Sequence, residues 1–158
     1  LKRAVVAAED DKFMSHSGFD LEAMQQAYER NVREGEIVLG ASTITQQLAK
    51  NLFLPVSRTW WRKAQEAVIT VMLEAVLSKR RILEIYLNVV EWGDGVYGAE
   101  AAARFHYGTT AAALSPAQSA RLAVMLPSPR SYPPGRDTVY LQERTAVILG
   151  RMQYARVP

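Results

Sequence analysis

There is no cysteine among the 158 residues of this chain. That excludes a disulfide scaffold, a zinc–thiolate site and thiol catalysis, and it removes redox usage as a guide to compartment. No apolar run approaches the roughly 20 residues that span a bilayer. Charge of one sign is also lacking: 19 Lys and Arg stand against 16 Asp and Glu, for a net charge of +3. So mild a balance gives no reason to expect nucleic acid as a partner. Few segments alternate with period two, which leaves little room for a sheet. No internal repeat or low-complexity stretch is present. The chain opens on Leu1-Lys2-Arg3 with neither a start methionine nor a signal peptide, and reads as an excised piece of a longer protein.

What is there is a globular composition, 49% apolar and 22% charged, in a chain long enough to bury one core. Apolar residues recur at three and four, and at least six helices are expected. The first covers about 2–10. The second follows Asp20 as N-cap, with Leu21, Met24 and Tyr28 on one side. A third starts at Ser42, its apolar stripe formed by Ile44, Leu48 and Leu52. A fourth begins near Thr59 and carries VITVMLEAVL (68–77), so apolar all round that a central position is expected. Others cover 82–90, 99–107, a segment capped by Ser115 with Pro116 and Gln118, and Asp137 to about Gln153. The only plausible strand is EIVL (36–39). The fold class is all-α.

Two strings carry the chemistry. GASTITQQLAKN (40–51) puts Thr43, Gln46, Gln47, Lys50 and Asn51 opposite its apolar stripe. A solvated face usually uses Glu, Lys and Arg; hydroxyls and amides with one cation suit a polar, negatively charged ligand. EDDKFMSHSGFD (9–20) is dense in ionisable groups, with Glu9, Asp10, Asp11, Lys12 and His16 around Phe13 and Phe19. Such an acidic run either merely solvates or supplies a general base. Adjacent carboxylates would raise the pKa of Glu9 toward useful values. Arg62 and Lys63 precede Glu66 by four and three residues and share its helix face. They form either local ion pairs or a rim for a phosphorylated ligand. Glu74, Glu84 and Glu91 read as structural carboxylates with nearby cations or helix ends. Gly93, Gly95 and Gly98 read as a tight turn between helices. LFLP (52–55) with Trp60-Trp61 is either core or a lip for a membrane interface.

These strings, together with RKAQE (62–66), KRRILEIYLN (79–88) and WGDGVYGAEAA (92–102), resemble glycosyltransferase family 51, the peptidoglycan glycosyltransferases. Order and spacing match over roughly residues 4–134, and the closest resemblance is to the monofunctional biosynthetic peptidoglycan transglycosylases. The resemblance implies a lysozyme-like helical fold with a smaller membrane-proximal lobe, about residues 21–62. It implies polymerisation of lipid II into β-1,4-linked glycan strands with release of undecaprenyl diphosphate. It places catalysis on Glu9 and Glu66. Substrate contacts or their supports fall on Asp10, Phe13, His16, Ser42, Thr43, Gln46, Gln47, Lys50, Asn51, Arg62 and Lys63.

For Glu66 three roles stay open: orienting the basic groups, binding a divalent cation (Mg or Mn), or stabilising developing charge. No cofactor is otherwise implied. Lipid II, the growing lipid-linked glycan and the membrane surface are the implied partners, with other cell-wall synthesis proteins open. The implied location is the bacterial inner membrane, with a single-pass anchor upstream and the catalytic domain on the periplasmic face. A hydrolytic muramidase and a non-catalytic glycan- or membrane-binding module are the rivals. The cationic cluster argues against the first, and the intact Glu9 and Glu66 against the second. Trp92, Tyr107, Thr109, Gln118 and Arg121 depart from the family's usual residues and put packing on the far side in question.

Overall fold

Side-chain caps decide where most of the helices begin. The computed structural model describes residues 1–35, 41–55 and 59–158. Its helices are α1 (Lys2–Glu9), α2 (Leu21–Glu34), α3 (Ile44–Phe53), α4 (Trp60–Val76), α5 (Lys79–Val89), α6 (Ala99–Tyr107), α7 (Pro116–Met125) and α8 (Val139–Arg151). Asp20 accepts from the Ala23 N–H at the start of α2, as expected. Thr59 caps α4, Ser78 caps α5, and Ser115 with Gln118 forms a full capping box on α7. Each cap satisfies one of the N–H groups that a helix start leaves without an intrahelical partner.

Three helix starts differ from the sequence reading. α5, expected over 82–90, begins at Lys79 on its Ser78 cap. α3 is capped by Thr43, not Ser42. The Thr43 hydroxyl accepts from Gln46 N–H at 3.2 Å and donates to the Gly18 carbonyl at 2.7 Å, while Thr43 N–H donates to Gln46 Oε1 at 3.0 Å. These three bonds seat Thr43 in the interior and leave Ser42 exposed. α8 starts at Val139 on a Thr138 cap, because Asp137 turns aside to pair with Arg121. The strand expected at 36–39 lies outside the described residues. The strands that are described form a small antiparallel hairpin, β1 (Glu91–Gly93) and β2 (Val96–Tyr97). It ends at Gly98, whose φ is +86° and where a Cβ would stand 2.7 Å from the Asn88 carbonyl oxygen. No other residue fits there.

The central helix is α1, not α4. Ala4, Val5, Val6 and Ala7 are buried in succession, so the middle of α1 is enclosed on every side. It packs against α7 and α8, while α3 packs against α4 and α5. The core also takes Ile44 and Leu48 from α3, Ile82, Leu83 and Tyr86 from α5, Leu122 from α7, and Leu141 and Ile148 from α8. α4 buries only Glu66 and Thr70. Its apolar residues Val68, Val71, Met72 and Val76 are exposed, Val76 by 80%. The inward face of α4 carries the polar residues that meet the site, and that turns its hydrophobic face out. Leu52 at the end of the α3 stripe is likewise exposed, as are Leu21, Met24 and Tyr28 on α2.

The residues that depart from the family's usual pattern are accommodated. Trp92 is fully buried and its Nε1–H donates to the Leu122 carbonyl at 3.1 Å. Arg121 pairs with Asp137 at 2.8 Å. Glu74, Glu84 and Glu91 pair with Lys79, Arg81 and Arg130, as structural carboxylates should.

Candidate active site

Glu9 is the last residue of α1, delivered by the central helix to the edge of the core. Burial pushes its carboxyl above the usual range. A hydrogen bond from Gln47 and the charge of Lys50 act against that shift, and the neighbouring Asp10 adds only the smallest contribution in favour. The raised pKa was expected from adjacent carboxylates; desolvation is its main cause, and Asp11 is exposed. Gln47 Nε2 donates to Glu9 Oε2 at 2.6 Å, and Gln47 Oε1 accepts from the Tyr86 hydroxyl at 2.9 Å. Tyr86 was missed by sequence reasoning. The available signal was a hydroxyl on the apolar face of α5, where a buried donor requires a partner.

A second group frames this carboxylate. Asp10 Oδ2 accepts from the Ile44 N–H at 3.0 Å, and Oδ1 meets His16 Nε2 at 2.7 Å. The His16 ring takes the Gly18 N–H on Nδ1 at 3.1 Å, so its proton sits on Nε2. These bonds fasten the 10–20 loop to the start of α3. Phe13 is 0% exposed and lies in the core, with Lys79 Nζ 4.5 Å above its ring. Asp10, Phe13, Thr43 and Gln46 are buried, and of these Asp10 and Thr43 still line the cavity beside Glu9. Ser42, Lys50 and Asn51 are exposed and Gln47 is half-buried beside Glu9. A cavity of about 280 Å³ opens next to Glu9, bounded by Ala8, Asp11, Ser42 and, from α8, Arg151. Arg151 had no sequence signal, since only the packing of α8 on α1 brings it there.

Glu66 is buried on the inward face of α4, with 2% of its surface exposed. Arg62 Nη1 lies 3.3 Å from its Oε2, and Lys63 Nζ meets its Oε1. The shared helix face is thus real, and it is not a solvated one. Arg62 Nε is buried and finds no hydrogen-bond partner among the described residues. A divalent cation does not fit Glu66: both of its oxygens face cations, and no cluster of three His, Cys, Asp or Glu occurs among the described residues. The two carboxylate regions are joined where α3 crosses α4. There Glu74 accepts from the Thr45 hydroxyl at 2.6 Å and from Lys79 at 2.7 Å.

An all-α domain with two carboxylates in different electrostatic surroundings suits the making or breaking of glycosidic bonds. The family model described as "Transglycosylase" matches residues 1–153. The chain is 61% identical over all 158 residues to the biosynthetic peptidoglycan transglycosylase of Nitrosospira multiformis, covering 69% of that protein. It is equally similar to that of Methylobacillus flagellatus, and 62% identical to that of Azoarcus sp., of which it covers 68%. The chain belongs to the transglycosylase family, and is a glycosyltransferase of peptidoglycan synthesis with the all-α, lysozyme-like fold expected of it.

Proposed function

We propose that this domain polymerises lipid II with Glu9 as general base. The 4-hydroxyl of the acceptor GlcNAc gives its proton to Glu9 as its oxygen attacks C1 of the donor MurNAc. The C1–oxygen bond to the diphosphate breaks on the opposite face, so an α-linked donor yields a β-1,4 link. Undecaprenyl diphosphate leaves toward Lys50, Arg62 and Lys63. Glu66 holds the two α4 cations in place and offsets part of their charge when the donor is absent.

The observation that carries this reading is the unlike state of the two carboxylates. Glu9 is half-buried, raised in pKa by desolvation and held by a neutral amide, as a base requires. Glu66 lies between two cations and is suited to organising charge. Glu9→Gln keeps size and polarity and loses the proton acceptor. Polymerisation of purified lipid II by this variant should fall by about 10²–10⁴-fold, the usual contribution of a general base. Near-normal chain growth would reject the assignment.

The lipid-linked substrate also accounts for the exposed apolar surface, and we place residues of about 21–62 at the periplasmic face of the inner membrane. Phe53, Trp60 and Trp61 are exposed, Trp60 by 92%, and the outward face of α4 extends this surface through Val68 and Met72. No helix among the described residues is long and apolar enough to cross a membrane. The domain would therefore lie on the bilayer through this face, with tryptophans at the interface. Phe53→Ser with Trp60→Ser should reduce binding to anionic liposomes and leave the unfolding temperature unchanged. Unaltered liposome binding would remove the lip.

A further inference from the structure

Gln47 has a carboxamide whose two ends are chemically opposite and sterically alike. Turned one way, its N–H₂ faces Glu9 and supports the anion. Turned the other way, its carbonyl oxygen faces Glu9 and repels it. Two acceptors select the first orientation: the Glu9 carboxylate and, at 3.5 Å, the Ser42 carbonyl, both met by Gln47 Nε2. What holds the carboxamide in place from its other end is Tyr86. Its hydroxyl reaches Gln47 Oε1 at 2.9 Å, on the side away from Glu9. Tyr86 is 0% exposed and is fixed between Leu83 and Leu87 on the buried face of α5. Burial and the nearby Glu9 and Asp10 carboxylates push its hydroxyl well above the ordinary range, so it stays protonated and keeps its proton to donate.

We propose that Tyr86 is a positioning residue for the general base: it holds the Gln47 carboxamide against Glu9 and so helps to set the pH at which Glu9 becomes a competent base. The inference rests on the assignment of Glu9 as that base. Tyr86 touches neither Glu9 nor the reacting atoms; it acts through Gln47. The other charged groups around Glu9 are Asp10 beside it, Lys50 on α3, and Asp11, Asp20 and Arg151 along the adjoining cavity. None of them contacts the Gln47 amide oxygen, so none duplicates the role of Tyr86.

The test is the pH profile of kcat for lipid II polymerisation in four proteins: parent, Tyr86→Phe, Gln47→Ala, and the double variant. Activity requires ionised Glu9 and so rises with pH through its pKa. The amide hydrogen bond lowers that pKa, so losing its alignment moves the acid limb to higher pH. For Tyr86→Phe the shift should be about one unit, the scale of one hydrogen bond to a charged group. On the limb itself this is about a tenfold lower rate. KM should change little, because Tyr86 lies behind the site. In the Gln47→Ala background Tyr86→Phe should add no further shift, since the group it orients is gone.

An unmoved acid limb in Tyr86→Phe would overturn the proposal. So would an equal extra shift in the double variant, which would mean that Tyr86 acts on packing and independently of Gln47. If Tyr86→Phe destabilises the fold, the midpoint of the limb still reports on the active fraction. Failure of the underlying reading looks different: Glu9→Gln would then retain turnover, whatever Tyr86→Phe does.

Discussion

Glu9, half-buried at the end of α1, and Glu66, buried within α4, are treated by the protein in opposite ways. Glu9 sits at the end of the central helix, makes no ion pair among the described residues, and accepts its bond from an amide. Glu66 sits within a helix turn of two cations and contacts both. A carboxylate that contacts an Arg and a Lys at once has both of its oxygens taken up by cations. One left to desolvation has its affinity for protons raised. A sequence shows the two residue types as identical. The difference in role comes from what packs around each, so the sharpest experiments change one environment and leave the other alone.

The largest separation should appear in ligand binding. If Lys50 and Arg62 hold the donor diphosphate as proposed, Lys50→Ala and Arg62→Ala should each remove a charge-assisted contact worth about 1.5–3 kcal/mol. A soluble lipid-linked diphosphate analogue should bind about 10- to 150-fold more weakly to each variant. An uncharged disaccharide should bind all three proteins alike. Arg62→Lys should rescue poorly, because a planar guanidinium can grip two phosphate oxygens where an ammonium is a single point charge. Calorimetric titration with both ligands would decide this. Equal weakening for both ligands would make the cations structural and erase the contrast with Glu9.

Much of this contrast was legible beforehand, and the illegible part has one physical cause. Local signals were reliable: the Asp20 and Ser115 caps, the Arg62–Lys63–Glu66 face and the existence of each helix depend on neighbours in sequence. Tertiary signals were not. The apolar run 68–77 reads as a buried core helix because periodicity cannot tell core from a surface that meets lipid or another protein. For Phe13 and Gln46 the sequence leaves contact and support open, because a polar or aromatic motif residue looks the same whether it faces the cleft or supports it. Tyr86 and Arg151 entered the site through packing of α5 and α8, distant in sequence from Glu9. The cause of the raised Glu9 pKa was misassigned for the same reason. Asp10 and Asp11 are visible as neighbours, whereas burial by α3 and α5 is not.

The smaller effect lies in stability, where the two glutamates should respond with opposite sign. Glu66→Gln leaves Arg62 and Lys63 without their carboxylate in a partly buried place. The loss should be about 1–3 kcal/mol, toward the lower end because Lys63 is 44% exposed and already screened. For a domain of this size that lowers the unfolding temperature by several degrees.

Glu9→Gln should do the reverse. The folded pKa of Glu9 lies above its ordinary value, so folding favours the protonated form. Its contribution to stability is therefore most favourable below the ordinary carboxylate range. It declines as pH rises from that range through the raised folded value, and above this the cost of the buried anion is fully present. Gln carries no such cost at any pH. Parent and Glu9→Gln should unfold at nearly the same temperature in acid and diverge as pH rises, with the inactive variant more stable by about one to a few degrees at neutral pH. Thermal unfolding followed across the pH range reads this directly. Parallel curves, or a less stable variant at neutral pH, would mean that the Gln47 hydrogen bond outweighs desolvation. Glu9 would then be an ordinary satisfied carboxylate, and its contrast with Glu66 would rest on geometry alone.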